Sequence, residues 1–218
     1  MKILQETLVI LLGFLVTSLA STTKEDDCKK LSPGIRQYLA SNNLTIPDDY
    51  CCIMNVGVYK LYTNLTTWNE ARESCKKEGA HLAIINSRKE AELLRDMFTN
   101  STLMKTPDFN KVRVLIGFHD MYRDGNFVTL FDDSLEKAGY NTWTTQWGGQ
   151  PDNTHRGDGR VQNCGTLADD GGLDDIDCTW QHGFICEIPM TQESWHAVSR
   201  SLQKFALWQY IVSLYYSI

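Results

Sequence analysis

The sequence lacks several features that mark common functional classes. It has 21 Lys and Arg against 27 Asp and Glu, a formal net charge of −6, so it lacks the basic excess that a nucleic-acid-binding surface requires. It has no Ser nucleophile elbow and no His-Glu-x-x-His motif, and His119, His155 and His182 lack the spacing of zinc ligands. Internal repeats and low-complexity tracts are also missing. We therefore expect no nucleic-acid partner and no enzymatic activity.

What the chain does contain is enough apolar material for a folded core. It has 218 residues, of which 42% are hydrophobic, with 6 Trp, 9 Tyr and 8 Phe. That length supports one ordinary domain with extensions or two small domains.

The N-terminus has the pattern of a secretory signal peptide over residues 1–20. The apolar run Leu8–Val16 is followed by the small residues Ser18 and Ala20 of a cleavage site. The alternative, a membrane anchor, is disfavoured because a transmembrane span needs about 20 apolar residues. We expect a secreted, extracellular protein without a transmembrane span.

Secretion makes disulfides the expected state of the cysteines. The seven that follow residue 20 are Cys28, Cys51, Cys52, Cys75, Cys164, Cys178 and Cys186. Because seven is odd, at least one is a free thiol or pairs with another chain. Three Asn-x-Ser/Thr sequons also fit secretion and predict glycosylation at Asn43, Asn64 and Asn100.

The periodicity predicts two early helices followed by strands around a long loop. Two capping boxes, Thr67–Glu70 and Ser87–Glu90, each open a helical pattern. Residues 120–163 are rich in Gly, Asn and Asp and show almost no periodicity, and long loops of this kind are usually functional. The strand patterns, which alternate or are short and apolar, are Val56–Tyr62, Leu82–Ile85, Val112–Phe118, Cys164–Leu167 and Gly183–Glu187.

The segment from Trp147 to Cys186 is rich in side-chain oxygen donors. Hard oxygen donors in this number are typical of a Ca²⁺ site, which takes 6–8 oxygen ligands. The alternative is a solvated acidic loop held by a disulfide. The donors are Gln150, Asp152, Gln162, Asn163, Asp174 and Asp175.

Residues 49–188 resemble a C-type lectin-like domain. Val114-Leu115-Ile116-Gly117 is similar to the family's Trp-Ile-Gly-Leu strand, and Gln150-Pro151-Asp152 to its sugar-binding tripeptide. Asp174-Asp175 stands where the family has Asn-Asp. The resemblance implies an α+β fold, with two helices packed on small antiparallel sheets, a long calcium- and sugar-binding loop region and two disulfides, Cys75–Cys186 and Cys164–Cys178. It also implies a bridge from Cys28 to Cys51 or Cys52, and the remaining thiol is either buried or links a dimer.

A narrower resemblance is to secreted insect lectins of the haemolymph lipopolysaccharide-binding type. It rests on Tyr59–Tyr62, Trp68–Arg72 and His81–Asn86. This likeness implies recognition of microbial surface glycans in innate defence, with weak single-site affinity raised by a homo-oligomer or by arrayed ligands.

The family's site implies calcium ligation by Gln150, Asp152, Gln162, Asp174 and Asp175, with a cis peptide before Pro151. The first four of these would also bind the sugar, each hydroxyl lying between one acid and one amide. Two departures stand out: Gln162 replaces the usual Glu and Asp174 the usual Asn, so that the number of acids is unchanged and we expect calcium binding to be kept. A second, auxiliary calcium site is less secure, because Asn153 and Asn163 replace acids there, although Asp158 could compensate.

The tripeptide implies galactose, but the aromatic residue that normally follows it is missing. Only His155 or Trp180 could replace it, so we expect weak selectivity between galactose- and mannose-type glycans. Two functions stay open, a calcium-dependent lectin and a calcium-independent lectin-like domain that binds a protein or a lipid. Outside the domain lie an N-terminal segment over residues 21–48 and a tail over 189–218, whose apolar residues recur at the spacing of an amphipathic helix.

Overall fold

The structure is a computed structural model that describes residues 31, 33–41, 45–53, 55–105, 112–153 and 161–215. The predicted signal peptide, Cys28, Asn43, His155 and Asp158 lie outside these residues. The chain divides into two compact units. One contains residues 56–189, and the other contains the residues up to 55 together with those from 190 onward.

The unit of residues 56–189 is built on an antiparallel-rich sheet in the order β2-β8-β4-β6-β7. The last strand lies inside this sheet, because β8 pairs antiparallel with β2 and β3 and parallel with β4. A short strand β5 pairs with β4. The strands of this unit are β2 Gly57–Thr66, β3 His81–Leu82, β4 Arg113–His119, β5 Val128–Thr129, β6 Cys164–Ala168, β7 Leu173–Ile176 and β8 His182–Ile188.

Two helices begin at the predicted capping residues. The first of them, α2 (Trp68–Lys77), has a closed capping box between Thr67 and Glu70. The second, α3 (Arg88–Thr99), is capped by the Ser87 hydroxyl, which accepts from the Glu90 amide at 3.2 Å. The Glu90 carboxylate, however, accepts from the Asn86 amide at 2.8 Å, one residue before the cap. The other helical segments of this unit are α4 Leu135–Ala138 and the 3₁₀ helices Thr102–Lys105 and Gln146–Gly148.

The core lies between these helices and the sheet. Trp68 is fully buried, and its indole N–H donates to the Ile116 carbonyl of β4 at 2.9 Å. Both disulfides implied by the family resemblance are present. Cys75–Cys186 joins α2 to β8, and Cys164–Cys178 joins β6 to the turn after β7.

The other unit contains α1 (Pro33–Ala40), β1 (Cys51–Ile53) and α5 (Gln192–Tyr215). The tail that was predicted to be helical forms one helix, α5, over Gln192–Tyr215. Helix α1 packs against it. Cys51 is in a disulfide, while Cys52 is a buried free thiol whose pKa burial raises to about 11. Burial of Cys52 favours the buried-thiol alternative over a disulfide-linked dimer.

Two strand predictions need correction. The strand over Leu82–Ile85 is shorter than predicted, because only His81–Leu82 pairs with β8. Strand β7 was not predicted from periodicity, because its sequence Leu-Asp-Asp-Ile is buried at every position and does not alternate.

Candidate functional site

The predicted donors come from three segments, which the fold brings together at one end of the sheet. Gln150 and Asp152 lie in the loop after the 3₁₀ helix, Gln162 lies just before β6, and Asp174 and Asp175 lie within β7. Strands β6 and β7 pair antiparallel, with Thr166 opposite Asp174. The two strands therefore carry both aspartates into the buried end of the site, next to the loop.

Hydrogen bonds connect the loop to β7. The Gln150–Pro151 peptide is cis, as the resemblance implies. The amide N–H groups of Asp152 and Asn153 donate to the two carboxylate oxygens of Asp175, at 3.1 and 2.9 Å. The Asp152 amide also donates to the Gln150 side-chain oxygen at 2.9 Å. The Asp175 carboxylate therefore holds the backbone of the tripeptide loop in place.

Gln162 completes the contact between the loop and the sheet. Its side-chain amide donates to Asp152 Oδ1 at 3.0 Å, and the residue is mostly buried. The family resemblance implies that Asp152 and Gln162 are the acid and the amide that contact the same sugar hydroxyl. The structure thus joins Gln150, Asp152, Gln162 and Asp175 through direct hydrogen bonds.

Asp174 differs from the other donors because a cation already pairs with it. Its carboxylate forms an ion pair with Arg113, the first residue of β4, and both side chains are almost completely buried. The Thr166 hydroxyl lies 3.3 Å from the same carboxylate. We define Arg113, Asp152, Gln162, Asp174 and Asp175 as the β7 cluster.

Arg113 is the residue that sequence reasoning missed. Its guanidinium lies 4.1 Å from the centroid of the Trp147 ring, in a cation–π contact. Trp147 has a positive φ of 53° and keeps 37% of its surface exposed. A charged residue directly before the apolar run Val114–Gly117 was the available signal, since a charge at the buried end of a strand needs a partner.

Burial dominates the electrostatics of this cluster. It raises the pKa of the Asp174 carboxyl to about 7, against the lowering effect of Arg113. It also raises the pKa of Asp175 to about 6, although the two backbone N–H donors oppose the shift. Asp152 contributes to both increases by charge repulsion. Three converging acids with a single guanidinium therefore leave a buried excess of negative charge.

The loop before the tripeptide is fixed against β7. The backbone N–H of Thr144 donates to the Leu173 carbonyl at 2.9 Å, and the Thr144 carbonyl accepts from the Gln150 amide at 3.0 Å. Gly172 permits this approach, since a Cβ at that position would lie 2.4 Å from the Thr144 nitrogen. The position of Gln150 is thus set by backbone contacts to the sheet.

A second polar cluster lies beside the first. The Asn153 side chain donates to the Asp124 carboxylate, and the Asp120 amide donates to the Asn163 carbonyl at 3.2 Å. Asp120 Oδ2 accepts from the Gly125 amide at 2.7 Å, and burial raises the pKa of this carboxyl. Asp120 and Asp124 were not predicted as calcium ligands from the sequence, and the auxiliary calcium site stays a prediction.

The remaining predicted residues have simple positions. Trp180 lies half-buried in the turn after Asp177, while Asn64 and Asn100 are exposed, as glycosylation requires. In the described part of the chain, no three His, Cys, Asp or Glu side chains form a ready-made metal site. Among the described helices, none is both long enough and apolar enough to cross a membrane.

Away from the β7 cluster, a second group of buried acids lies near the start of α3. Glu90 is fully buried and accepts from the Tyr59 hydroxyl, and Glu187 of β8 accepts from the Ile84 amide at 3.0 Å. Burial raises the pKa of each carboxyl to about 7, and their mutual repulsion raises that of Glu90 further. His81 Nδ1 lies 3.9 Å from Glu187, and burial lowers its pKa. We define Tyr59, His81, Glu90 and Glu187 as the Glu90 cluster.

The fold and the arrangement of the site are those of a known protein family. The model of the "Lectin C-type domain" matches residues 64–188, more than half of the chain. The chain belongs to the C-type lectin family, whose domains are non-enzymatic carbohydrate-binding modules, in agreement with the absence of catalytic motifs from the sequence.

Individual relatives support the narrower resemblance. The chain is 37% identical over 146 residues to the "Hemolymph lipopolysaccharide-binding protein" of Periplaneta americana, covering 67% of this chain and 54% of that protein. It is 29% identical to the "Salivary C-type lectin 2" of Aedes albopictus, over 59% of this chain and 82% of that protein. The fold matches the carbohydrate-recognition domain of the mouse scavenger receptor C-type lectin, with a TM-score of 0.52, 23% identity and coverage of 65% of this chain and 96% of that domain. The chain therefore spans about half the length of the Periplaneta relative.

Proposed function

We propose that this protein is a secreted, calcium-dependent lectin that binds glycans on microbial surfaces, such as lipopolysaccharide, in innate defence. One observation carries the proposal: Asp152, Gln162 and Asp175 converge on each other around the tripeptide loop. The name of the Periplaneta relative supports the lipopolysaccharide part, and the haemolymph and salivary relatives support secretion.

The donor chemistry of Gln150 together with Asp152, Gln162, Asp174 and Asp175 of the β7 cluster fits calcium. Three carboxylates and two side-chain amides supply only hard oxygen ligands, which Ca²⁺ prefers. Burial leaves the carboxylates with uncompensated negative charge, as the raised pKa values of Asp174 and Asp175 indicate. A divalent cation placed among Gln150, Asp152, Gln162, Asp174 and Asp175 would neutralise that charge.

Calcium bound there would supply open coordination positions for two neighbouring sugar hydroxyls. The residues of this chain would orient the sugar, because carboxylates accept hydroxyl protons and side-chain amides donate to hydroxyl oxygens. Asp152 and Gln162 already lie within 3.0 Å of each other and would contact one hydroxyl. Gln150 and Asp174 would contact the other. Since each pair combines one acid with one amide, we expect little preference between galactose and mannose.

Retention on immobilised sugars tests this function. The secreted full-length protein is applied to galactose, mannose and lipopolysaccharide resins in calcium and is then washed with chelator. We expect retention that chelator releases, on both sugars to similar extents. Asp152→Asn should abolish retention, whereas Asp96→Asn, at an exposed position of α3, should leave it unchanged.

Two results would contradict the proposal. A folded protein that no resin retains would show that the site does not bind sugar. A clear preference for galactose over mannose would overturn the expected lack of selectivity.

A second function is favoured by a specific observation. Asp174, a predicted calcium ligand, already forms an ion pair with Arg113 of the same chain. A domain that does not need calcium is expected to have this arrangement. Such a lectin-like domain would bind a protein or a lipid. Retention on lipopolysaccharide that survives chelation and is unaffected by Asp152→Asn would support this second function.

A further inference from the structure

We propose that Arg113 is a built-in counter-cation of the sugar-binding carboxylates, which stabilises the calcium-free domain and lowers the affinity of the site for calcium. The inference rests on the proposed function, because it concerns the same donor side chains. It assigns a role to a residue that lies in strand β4, outside the predicted ligand set.

The position of Arg113 follows from the sheet. Arg113 lies opposite Ala168 of β6, and Thr166, two residues earlier in β6, lies opposite Asp174 of β7. The guanidinium therefore reaches across β6 to the carboxylate. The Arg113 side chain is only 5% exposed and that of Asp174 only 1%, so water screens their interaction very little.

Trp147 holds the guanidinium in this place. The ring covers the charged group at 4.1 Å, and the backbone of Trp147 belongs to the segment that leads into the tripeptide loop. This segment is fixed on both sides of Trp147, because the Thr144 amide donates to the Leu173 carbonyl of β7 and the Gln150 amide donates to the Thr144 carbonyl. Arg113 is consequently a fixed charge within the site and differs from an exposed arginine that can swing into solvent.

The charges of the cluster define the effect on calcium. When ionised, Asp152, Asp174 and Asp175 carry three negative charges, and Arg113 offsets one of them in the field that an entering cation meets. The guanidinium cannot release its proton at physiological pH, so this positive charge is permanent. A divalent ion would be repelled by Arg113 and would share Asp174 with it. Without calcium, the same guanidinium relieves the repulsion among the three acids.

Arg113 should lower the affinity for calcium but raise the stability of the calcium-free protein, and these opposite effects make the inference testable. Calcium affinity is measured by isothermal titration calorimetry on the secreted full-length protein, and thermal stability is measured in chelator. We expect Arg113→Gln to bind calcium at least tenfold more tightly than wild type and to unfold at a lower temperature in chelator. If Arg113 had only a structural role, Arg113→Gln would lower both the calcium affinity and the unfolding temperature. Arg88→Gln is the control, because Arg88 is exposed and pairs with Glu92 one turn away.

A second pair of variants measures the same effect if Arg113→Gln does not fold. Asp174→Asn leaves the guanidinium without its carboxylate, and we expect it to bind calcium more weakly than wild type. Arg113→Gln/Asp174→Asn replaces the buried pair by two neutral amides, and we expect at least tenfold tighter calcium binding than Asp174→Asn alone. Equal affinities within this pair would overturn the inference.

The outcomes separate this inference from the proposed function. The role of Arg113 is overturned if folded Arg113→Gln binds calcium no more tightly than wild type. It is also overturned if neither wild type nor Arg113→Gln binds calcium measurably. Failure of the wild-type protein to bind any sugar resin contradicts the lectin function but leaves the calcium affinities measurable. A rise in calcium affinity with unchanged sugar retention would support the inference.

Discussion

The β7 cluster and the Glu90 cluster bury carboxylates in the same unit but compensate their charge differently. In the β7 cluster a guanidinium pairs with Asp174. In the Glu90 cluster the neighbours of Glu90 and Glu187 are a hydroxyl, two backbone amides and an imidazole whose pKa burial lowers. A proton is then the available compensation, since burial raises the pKa of both carboxyls to about 7. Because burial also raises the pKa values of Asp174 and Asp175, the first cluster should respond to both cations and pH, and the second to pH.

The largest expected effect is on the ion pair of the β7 cluster. Arg113→Met leaves a buried carboxylate unpaired, which costs about 3–5 kcal/mol of unfolding free energy. Urea denaturation in chelator measures the loss. Lys137→Gln is the control, because it removes an exposed pair with Asp133 that is worth at most about 1 kcal/mol. Equal losses in the two variants would mean that burial does not distinguish the Arg113 pair.

The next effect is the pH dependence contributed by the Glu90 cluster. The pKa of these carboxyls rises on folding, so the native state binds more protons than the unfolded chain between pH about 4.5 and about 7. Stability is therefore highest below this window and falls as the pH rises through it, by up to about 1.4 kcal/mol per pH unit for each carboxyl.

Glu187→Gln should make that decline shallower and raise the stability at pH 8. Denaturant titrations between pH 4 and pH 8, in chelator, compare it with wild type and with Glu92→Gln, an exposed substitution in α3. A wild-type protein whose stability increases with pH over this range would contradict the proton-compensated description of the Glu90 cluster.

The smallest effect separates a buried hydroxyl from a more accessible one. Tyr59→Phe removes the donor to buried Glu90 and should cost about 1–3 kcal/mol, because the carboxylate loses a hydrogen bond that water cannot replace. Tyr62→Phe removes a comparable bond to Glu78 in a more exposed setting and should cost less. Thermal unfolding of both variants gives the difference, and a larger loss for Tyr62→Phe would reverse the expected order.

Local sequence signals predicted the helices well. Thr67 and Ser87 each precede a helix: the Thr67 amide donates to the Glu70 carboxylate, and the Ser87 hydroxyl accepts from the Glu90 amide. Family resemblance, rather than periodicity, supplied the disulfide pairings, the cis peptide before Pro151 and the convergence of the donors. Strand β7 could not be predicted from alternation of apolar and polar residues, because the polar residues Asp174 and Asp175 are both buried there.

The charge balance of the site could not be read from the ligand positions alone. Counting Asp152, Asp174 and Asp175 predicts retained calcium binding, but Arg113 lies 61 positions before Asp174 along the chain, and only the pairing of β4, β6 and β7 brings it to the carboxylate. The two residues departing from the family pattern are thus not equivalent. Gln162 acts directly on the loop through Asp152, whereas the charge of Asp174 is largely matched within the protein.

The place of β8 in the sheet has a consequence for how the chain acquires its fold during synthesis. This strand is the last of the unit, yet it joins β2 on one side to β3 and β4 on the other. A nascent chain that ends before His182 contains β2 and β4 without the strand that connects them. Helix formation at α2 and α3 can precede that moment, but the sheet cannot close until about residue 188 has left the ribosome. Assembly of this unit's tertiary structure therefore follows synthesis of its last strand, and its many long-range pairings favour slow folding.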